Sequence, residues 1–219
     1  MMDIVKTLQT ALVAADSQRD RSLQVEIGAS AIGGCRTQAW HTINGTPTTN
    51  EGTESLAAII GTAIHDTVQK ALSAYDLFGE DFLLEEALQL PELKGHADFY
   101  SKSGRLVADW KTTTLKKIAN GTYLDKQKKI QVQLYAKMLA EKYPVERVAL
   151  VFIPRDGRMR DIVVWEDIYR PELANEGLAW LREVKAMETA PAPERSAQYF
   201  CRDFCKFYDE TGAVGCKGK

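Results

Sequence analysis

Residues 95–114 read GHADFYSKSGRLVADWKTTT and hold the densest chemistry in the chain. Asp98 lies at the end of one apolar run, and Asp109 follows Leu106 and Val107 on the next. Lys111 stands two positions after Asp109, so in an extended strand both side chains leave the same face. Two carboxylates held close together repel unless a cation sits between them. Mg²⁺ and Mn²⁺ take such oxygen ligands, and a neighbouring lysine can steady developing negative charge or orient an attacking water. The chemistry implied is metal-assisted attack on a phosphodiester, in which the metal acidifies a water and polarises the phosphate. The plainer description is a surface hairpin with an Asp–Lys ion pair, which is common and contributes little energy.

Other residues bear on that choice. His65 follows Gly61 by four positions in GTAIH, so both lie on one side of a helix. The glycine lets another element approach, and an imidazole is an ordinary ligand for Mn²⁺; a merely buried histidine is the alternative. Gln131 and Tyr135 are one turn apart in QVQLY and share a helix face, suited to holding a phosphate or the lysine, or simply to meeting solvent. Glu85 and Glu86 are adjacent on a preceding strand. Alternation sends one of them inward, without saying which.

The elements that must position these residues follow from hydrophobic period. Residues 3–15 form an amphipathic helix pattern, and Ser30 can cap a short helix containing Ile32, Cys35 and Trp40. A long helix is expected over 53–74, where Leu56, Ile60, Ile64, Val68 and Leu72 recur every fourth residue. The period then changes to strands at 82–88, 93–100 and 105–111, the last two joined by a Ser-Lys-Ser-Gly turn. A helix over 126–142, strands at 145–153 and 158–165 about Arg155-Asp156-Gly157, and a helix over 171–187 complete the pattern. This order implies a mixed α/β fold, a central mixed sheet flanked by helices.

With 219 residues the chain is expected to form a single domain. Hydrophobic residues at 45% and charged residues at 26% exclude a disordered tail or a collagen-like repeat. A net charge of -2 excludes a wholly basic nucleic-acid coat but not a local basic groove. The N-terminus lacks the layout of a secretory peptide and no apolar run is long enough to span a membrane, so a cytoplasmic location is expected. Four cysteines in a reducing compartment then call for a use other than disulfides. Cys201, Cys205 and Cys216 fall in the last nineteen residues, and Cys35 lies far upstream. Four thiolates suit Zn²⁺ or a [4Fe–4S] cluster, and the spacing does not separate the two.

Residues 109–137 hold seven lysines against two aspartates. Lys116, Lys117, Lys126, Lys128 and Lys129 form a basic stripe suited to gathering phosphates, with Tyr123, Trp110 and Trp40 available to stack on bases. Solvated loop lysines are the alternative, above all for Lys116 and Lys117.

Taken in order, Gly61 with His65, Gly95 with Asp98, Asp109 with Lys111, and Gln131 with Tyr135 resemble the motifs of the PD-(D/E)XK nuclease superfamily, in its RecB-like and Cas4-like branch. The resemblance spans about residues 61–135. It implies a restriction-endonuclease-like core over 53–187, with 1–52 and 188–219 as a helical periphery. It implies that His65, Asp98, Asp109 and the backbone carbonyl of Trp110 bind the metal, that Lys111 serves the attacking water, and that Gln131 and Tyr135 steady the substrate strand and the lysine. Asp109 stands where Glu is frequent in the wider superfamily, one methylene shorter. Iron–sulfur members likewise carry one cysteine before the core and three near the C-terminus, which implies that Cys35, Cys201, Cys205 and Cys216 hold a [4Fe–4S] cluster, with Zn²⁺ as the alternative. Such a cluster would close a loop of about 166 residues and stabilise the fold.

The expected activity is a DNA exonuclease acting on single strands or free ends and leaving 5′-phosphates. A structure-selective endonuclease, or a DNA-end-binding assembly protein with a structural cluster, are the rival readings. A helicase, recombination or spacer-acquisition partner would be a separate chain, and a homo-oligomer is compatible with the family.

Overall fold

The computed structural model describes residues 3–17, 27–50, 56–75, 79–195 and 200–219. Positions 53–55 of the expected long helix and 198–199 of the expected tail lie outside them. The helices are α1 (Ile4–Ser17), α2 (Arg36–Ile43), α3 (Leu56–Tyr75), α4 (Leu115–Ala119), α5 (Lys126–Leu139), α6 (Pro171–Lys185) and the single turn α7 (Arg202–Phe204). The strands are β1 (Phe82–Leu90), β2 (Leu93–Ser101), β3 (Leu106–Thr113), β4 (Arg147–Pro154) and β5 (Val163–Ile168). They form one five-stranded sheet in the order β1-β2-β3-β4-β5. The β3–β4 pair is parallel and the other three are antiparallel. The expected mixed sheet with flanking helices is the fold that forms.

The mixed character has a local cause. Tight turns join β1 to β2 and β2 to β3, whereas β3 reaches β4 only through α4 and α5, a crossover long enough to restore the strand direction. Asp125 caps α5, its carboxylate accepting from the Lys128 amide at 2.9 Å. Nearly every residue of α5 from Ile130 to Leu139 is buried. The last hairpin differs from expectation. Arg158–Asp161 is not strand: the Arg158 amide donates to the Asp161 carboxylate at 2.7 Å, a 3₁₀ turn spans Met159–Asp161, and β5 starts only at Val163. Helix α4 also interrupts a stretch expected to be loop, with the Thr114 hydroxyl accepting from the Lys117 amide.

The chain clusters into two compact units. One is drawn from Gly28–Gly34 and Gly61–Glu183 and contains the sheet. Its core includes Tyr100, Val107, Leu134, Leu139, Leu150, Phe152 and Leu181. The other is drawn from Met1–Ile27, Cys35–Ile60 and Val184–Lys219. Its described part holds a small buried group of Cys201, Cys205 and Phe207, with Tyr208 packed against it. No helix among the described residues is long and apolar enough to cross a membrane.

Candidate active site

Strand register aligns the carboxylates. On β1 and β2, Leu84 faces Phe99 and Glu86 faces Ala97, which leaves Glu85 opposite Asp98 at a gap in the ladder. On β2 and β3, Phe99 faces Ala108, and the same register carried one step further sets Asp98 opposite Asp109. The pairing stops there because the Asp98 carboxylate takes over, accepting from the Trp110 amide at 2.7 Å. Asp98 and Asp109 are 2% and 1% exposed, so both need partners to remain charged.

Those partners come from a helix and from the same strand. His65 on α3 places Nδ1 3.2 Å from Asp98 Oδ2. The helix comes close because Gly61 lacks a side chain: a Cβ there would sit 3.3 Å from the Thr112 hydroxyl on β3. Lys111 places Nζ 2.6 Å from Asp109 Oδ2. Gln131 on α5 donates through Nε2 to Tyr135 Oη at 2.9 Å and to Asp109 Oδ1 at 3.4 Å. Gln131 and Tyr135 are both buried, so their shared face meets the site and not solvent. Gly95 makes room for the tyrosine, since a Cβ at that position would meet Tyr135 Cε1 at 3.0 Å.

Electrostatics follow from this burial. Desolvation pushes the Asp109 carboxyl up to about 6, with Lys111 pulling it down and the Asp98 charge adding to the rise. Burial lowers His65, but the hydrogen bond and charge of Asp98 outweigh it and hold the imidazole above its ordinary value. The one charged partner of Asp109 Oδ2 among the described contacts is the Lys111 ammonium. His65, Glu85 and Asp98 offer ligand atoms that all lie within 4.8 Å of one another. This group is able to hold a metal ion, its imidazole and carboxylates forming a hard donor set of the kind Mn²⁺ and Mg²⁺ accept.

The fold resembles that of SSO0001. The crystal structure of that protein superposes with a TM-score of 0.58 at 16% identity, covering 94% of this chain and 95% of that one. The alkaline exonuclease LHK-Exo from Laribacter hongkongensis matches with a TM-score of 0.48 at 14% identity, covering 74% of this chain and 89% of its own. A phage-related exonuclease from Haemophilus somnus 129PT matches with a TM-score of 0.47 at 14% identity, covering 78% and 82%. No family model and no curated protein sequence matches.

Glu85 is the member of the group that strand alternation left undecided. Glu86 is turned elsewhere, its carboxylate 3.6 Å from Lys142 Nζ. The basic stripe is less free than its sequence suggested. Lys126 pairs with Glu176, Lys128 pairs with Asp125, and Lys129 lies 5.1 Å from the centre of the Trp165 ring. Lys116 and Lys117 are exposed on α4. Tyr123 packs edge-on against Phe152 and lines an open groove of about 450 Å³ with Lys126 and Lys129. The Trp110 ring leans on Phe99, and the Trp40 indole donates to the Met187 carbonyl at 2.9 Å.

The four cysteines, none in a disulfide, line one cavity together with His41 and Phe207. Cys35 stands immediately before α2, and Cys201 and Cys205 bracket α7. Cys216 is returned to the group by a bridge with Tyr208, its amide donating to the Phe207 carbonyl at 2.7 Å. Burial pushes the Cys201 thiol up to about 11 and raises Cys205 as well. Among the described residues no three of the sulfurs lie within 4.8 Å of one another.

Proposed function

We propose that the chain is a divalent-metal-dependent deoxyribonuclease, an exonuclease on single-stranded DNA or DNA ends. The observation that carries this reading is the conjunction of two buried pairs, His65–Asp98 at 3.2 Å and Asp109–Lys111 at 2.6 Å. An ion pair made only for stability would not need two nearly inaccessible carboxylates in one row, because desolvation makes that arrangement costly. His65, Asp98, Asp109 and the Trp110 carbonyl are the proposed ligands of Mg²⁺ or Mn²⁺. The hard donor set of His65, Glu85 and Asp98 fits such an ion. When bound, the ion lowers the pKa of a water and polarises the scissile phosphate.

The side chains supply the rest. Lys111 holds the attacking water beside the phosphorus and steadies charge on a non-bridging oxygen. Gln131, fixed by Tyr135, keeps the Asp109 carboxylate oriented toward the lysine. The water oxygen bonds to phosphorus as the bond to the 3′ oxygen breaks. One water proton ends on the released 3′ hydroxyl, the other goes to solvent, and the new end carries a 5′-phosphate. Lys116, Lys117, Lys126, Lys128, Lys129 and Tyr123 are proposed to guide the strand.

At the cysteines we propose a structural [4Fe–4S] cluster. The support is that Cys35, Cys201, Cys205 and Cys216 line one cavity, four thiolates being a ligand set for such a cluster, with Zn²⁺ as the alternative. Phosphodiester hydrolysis moves no electrons, so its role is to hold the loop carrying Cys216 to α2.

The test is digestion of end-labelled linear and circular single-stranded DNA with Mg²⁺ or Mn²⁺, beside Lys111→Ala. Linear DNA should be degraded and circles spared. The variant should fold, keep its cluster and lose about 10²–10³ in rate. Wild-type cleavage by the variant would remove Lys111 from the mechanism, and cutting of circles would turn the assignment to an endonuclease. A brown purified protein containing iron supports the cluster; zinc alone overturns it.

A further inference from the structure

Glu85 lies within a β-strand yet has φ +49°, in the left-handed region that favours glycine. Its neighbours keep perfect register on both sides, Leu84 with Phe99 and Glu86 with Ala97, so no bulge explains the departure. The strain is confined to one residue, and that residue stands opposite Asp98. Its carboxylate shares a 4.8 Å cluster with donor atoms of His65 and Asp98. In a six-coordinate site with bonds of about 2.1 Å, neighbouring ligands are about 3.0 Å apart and opposite ones about 4.2 Å. The 3.2 Å separation of His65 Nδ1 and Asp98 Oδ2 matches a neighbouring pair, and the cluster limit leaves room for Glu85 at a third position.

Resting on the metal-centre reading above, we propose that Glu85 is a direct ligand of the same divalent cation, supplied by β1 across the gap in the ladder. Glu85, Asp98 and Asp109 would then form a row of three carboxylates drawn from three adjacent strands, completed by His65 from the helix. Backbone strain of this kind persists where a function selects the side chain over the easier glycine. The inference adds Glu85 to the proposed ligands His65, Asp98 and Asp109, with Asp109 also tied to Lys111 and Gln131.

Mn²⁺ binding to the full chain, measured by calorimetry and by electron paramagnetic resonance, tests this without any turnover. Wild type, Asp98→Asn, Glu85→Gln and Glu85→Gly are compared, together with their metal-free melting temperatures. Both Glu85 variants should weaken Mn²⁺ by about tenfold or more, with an altered resonance spectrum. Glu85→Gly, freed of the strained φ, should melt no lower than wild type without metal. Wild-type affinity in Glu85→Gln overturns the proposal. So does a fall in the metal-free melting temperature of both variants with affinity unchanged, which would make Glu85 structural. If wild type binds no Mn²⁺, or Asp98→Asn binds it equally well, the metal centre itself fails.

Discussion

Asp109 is the carboxylate whose charge this fold opposes most strongly. It is 1% exposed, and its favourable contacts are Lys111 at 2.6 Å and Gln131 at 3.4 Å. Burial sets its titration near 6 in the metal-free chain, above the ordinary 3.8. The native state therefore binds more protons than the unfolded state between about pH 4 and 6, and metal-free stability falls as pH rises through that window. The loss is on the order of 3 kcal/mol for a rise of about two pH units. His65, also raised, adds to it in the same direction: its stabilising proton is lost as pH rises through a value above 6.5. Urea unfolding of chelated protein from pH 4 to 6.5 should show the decline, and Asp109→Asn should flatten the part below pH 6. A wild-type stability that climbs over this range would contradict the burial argument. At this scale the sequence was legible where spacing is local. Asp98, Asp109 and Lys111 could be read because a tight hairpin and strict alternation fix their faces. Glu85 could not, because its strand carries apolar residues in adjacent pairs, Leu83-Leu84 and Ala87-Leu88, and so has no clear inner face. Gln131 and Tyr135 were equally open to a solvent-facing reading, since polar residues on a helix reveal their surroundings only once the sheet is in place.

Helix packing decides how firmly α5 holds Gln131. Gly177 on α6 lies against it: a Cβ there would come within 2.7 Å of Ile130 Cγ2 and within 3.3 Å of Ile32 Cγ2 and Leu134 Cδ1. These are methyls of close-packed residues with nowhere to move. Gly177→Ala gains about 1 kcal/mol in helix propensity and loses about 1–3 kcal/mol to overpacking. A net destabilisation of about 1 kcal/mol is expected, read as a lower urea midpoint with an unchanged slope. A raised midpoint would mean that the two helices can separate at no cost. Gln133 works on the same helix: fully buried, it donates to the Ile168 carbonyl and accepts from the Arg170 amide, fixing the turn between β5 and α6. Elements with strong period were legible in advance, α3, α5 and the first four strands among them. The start of β5 was not. The Arg158–Asp161 capping interaction draws four residues into a turn, and charged residues in an alternating stretch conceal that competition. Helix α4 is only five residues long, too short to show a period.

On the scale of the whole chain, the two units differ in what can hold them folded. The unit containing the sheet has an extensive apolar core, whereas the cysteines of the other sit in a small buried cluster of Cys201, Cys205 and Phe207. If the proposed ligation forms, it would add to the stability of this unit. Asp209 adds a local clamp. Its carboxylate accepts from the Thr211 hydroxyl and amide and from the Val214 and Gly215 amides, which hold its titration far below the usual range and shape the loop that returns Cys216. The cysteine count was legible in the sequence, but the cavity was not, because it depends on contacts such as Asn50 to the Arg202 and Cys205 carbonyls, more than 150 positions apart. Cys205→Ser should therefore act unevenly. Hydrogen exchange followed by mass spectrometry should show protection lost over α2 and residues 200–216, while β3, β4 and α5 keep theirs. Visible colour should fade in the same preparation. Equal loss across both units would mean that they unfold together, and undiminished protection around α2 would mean that the thiols hold nothing the fold requires. Undiminished protection would remove the case for a stabilising cluster, while leaving the two buried pairs on α3, β2 and β3 to be judged on metal binding alone.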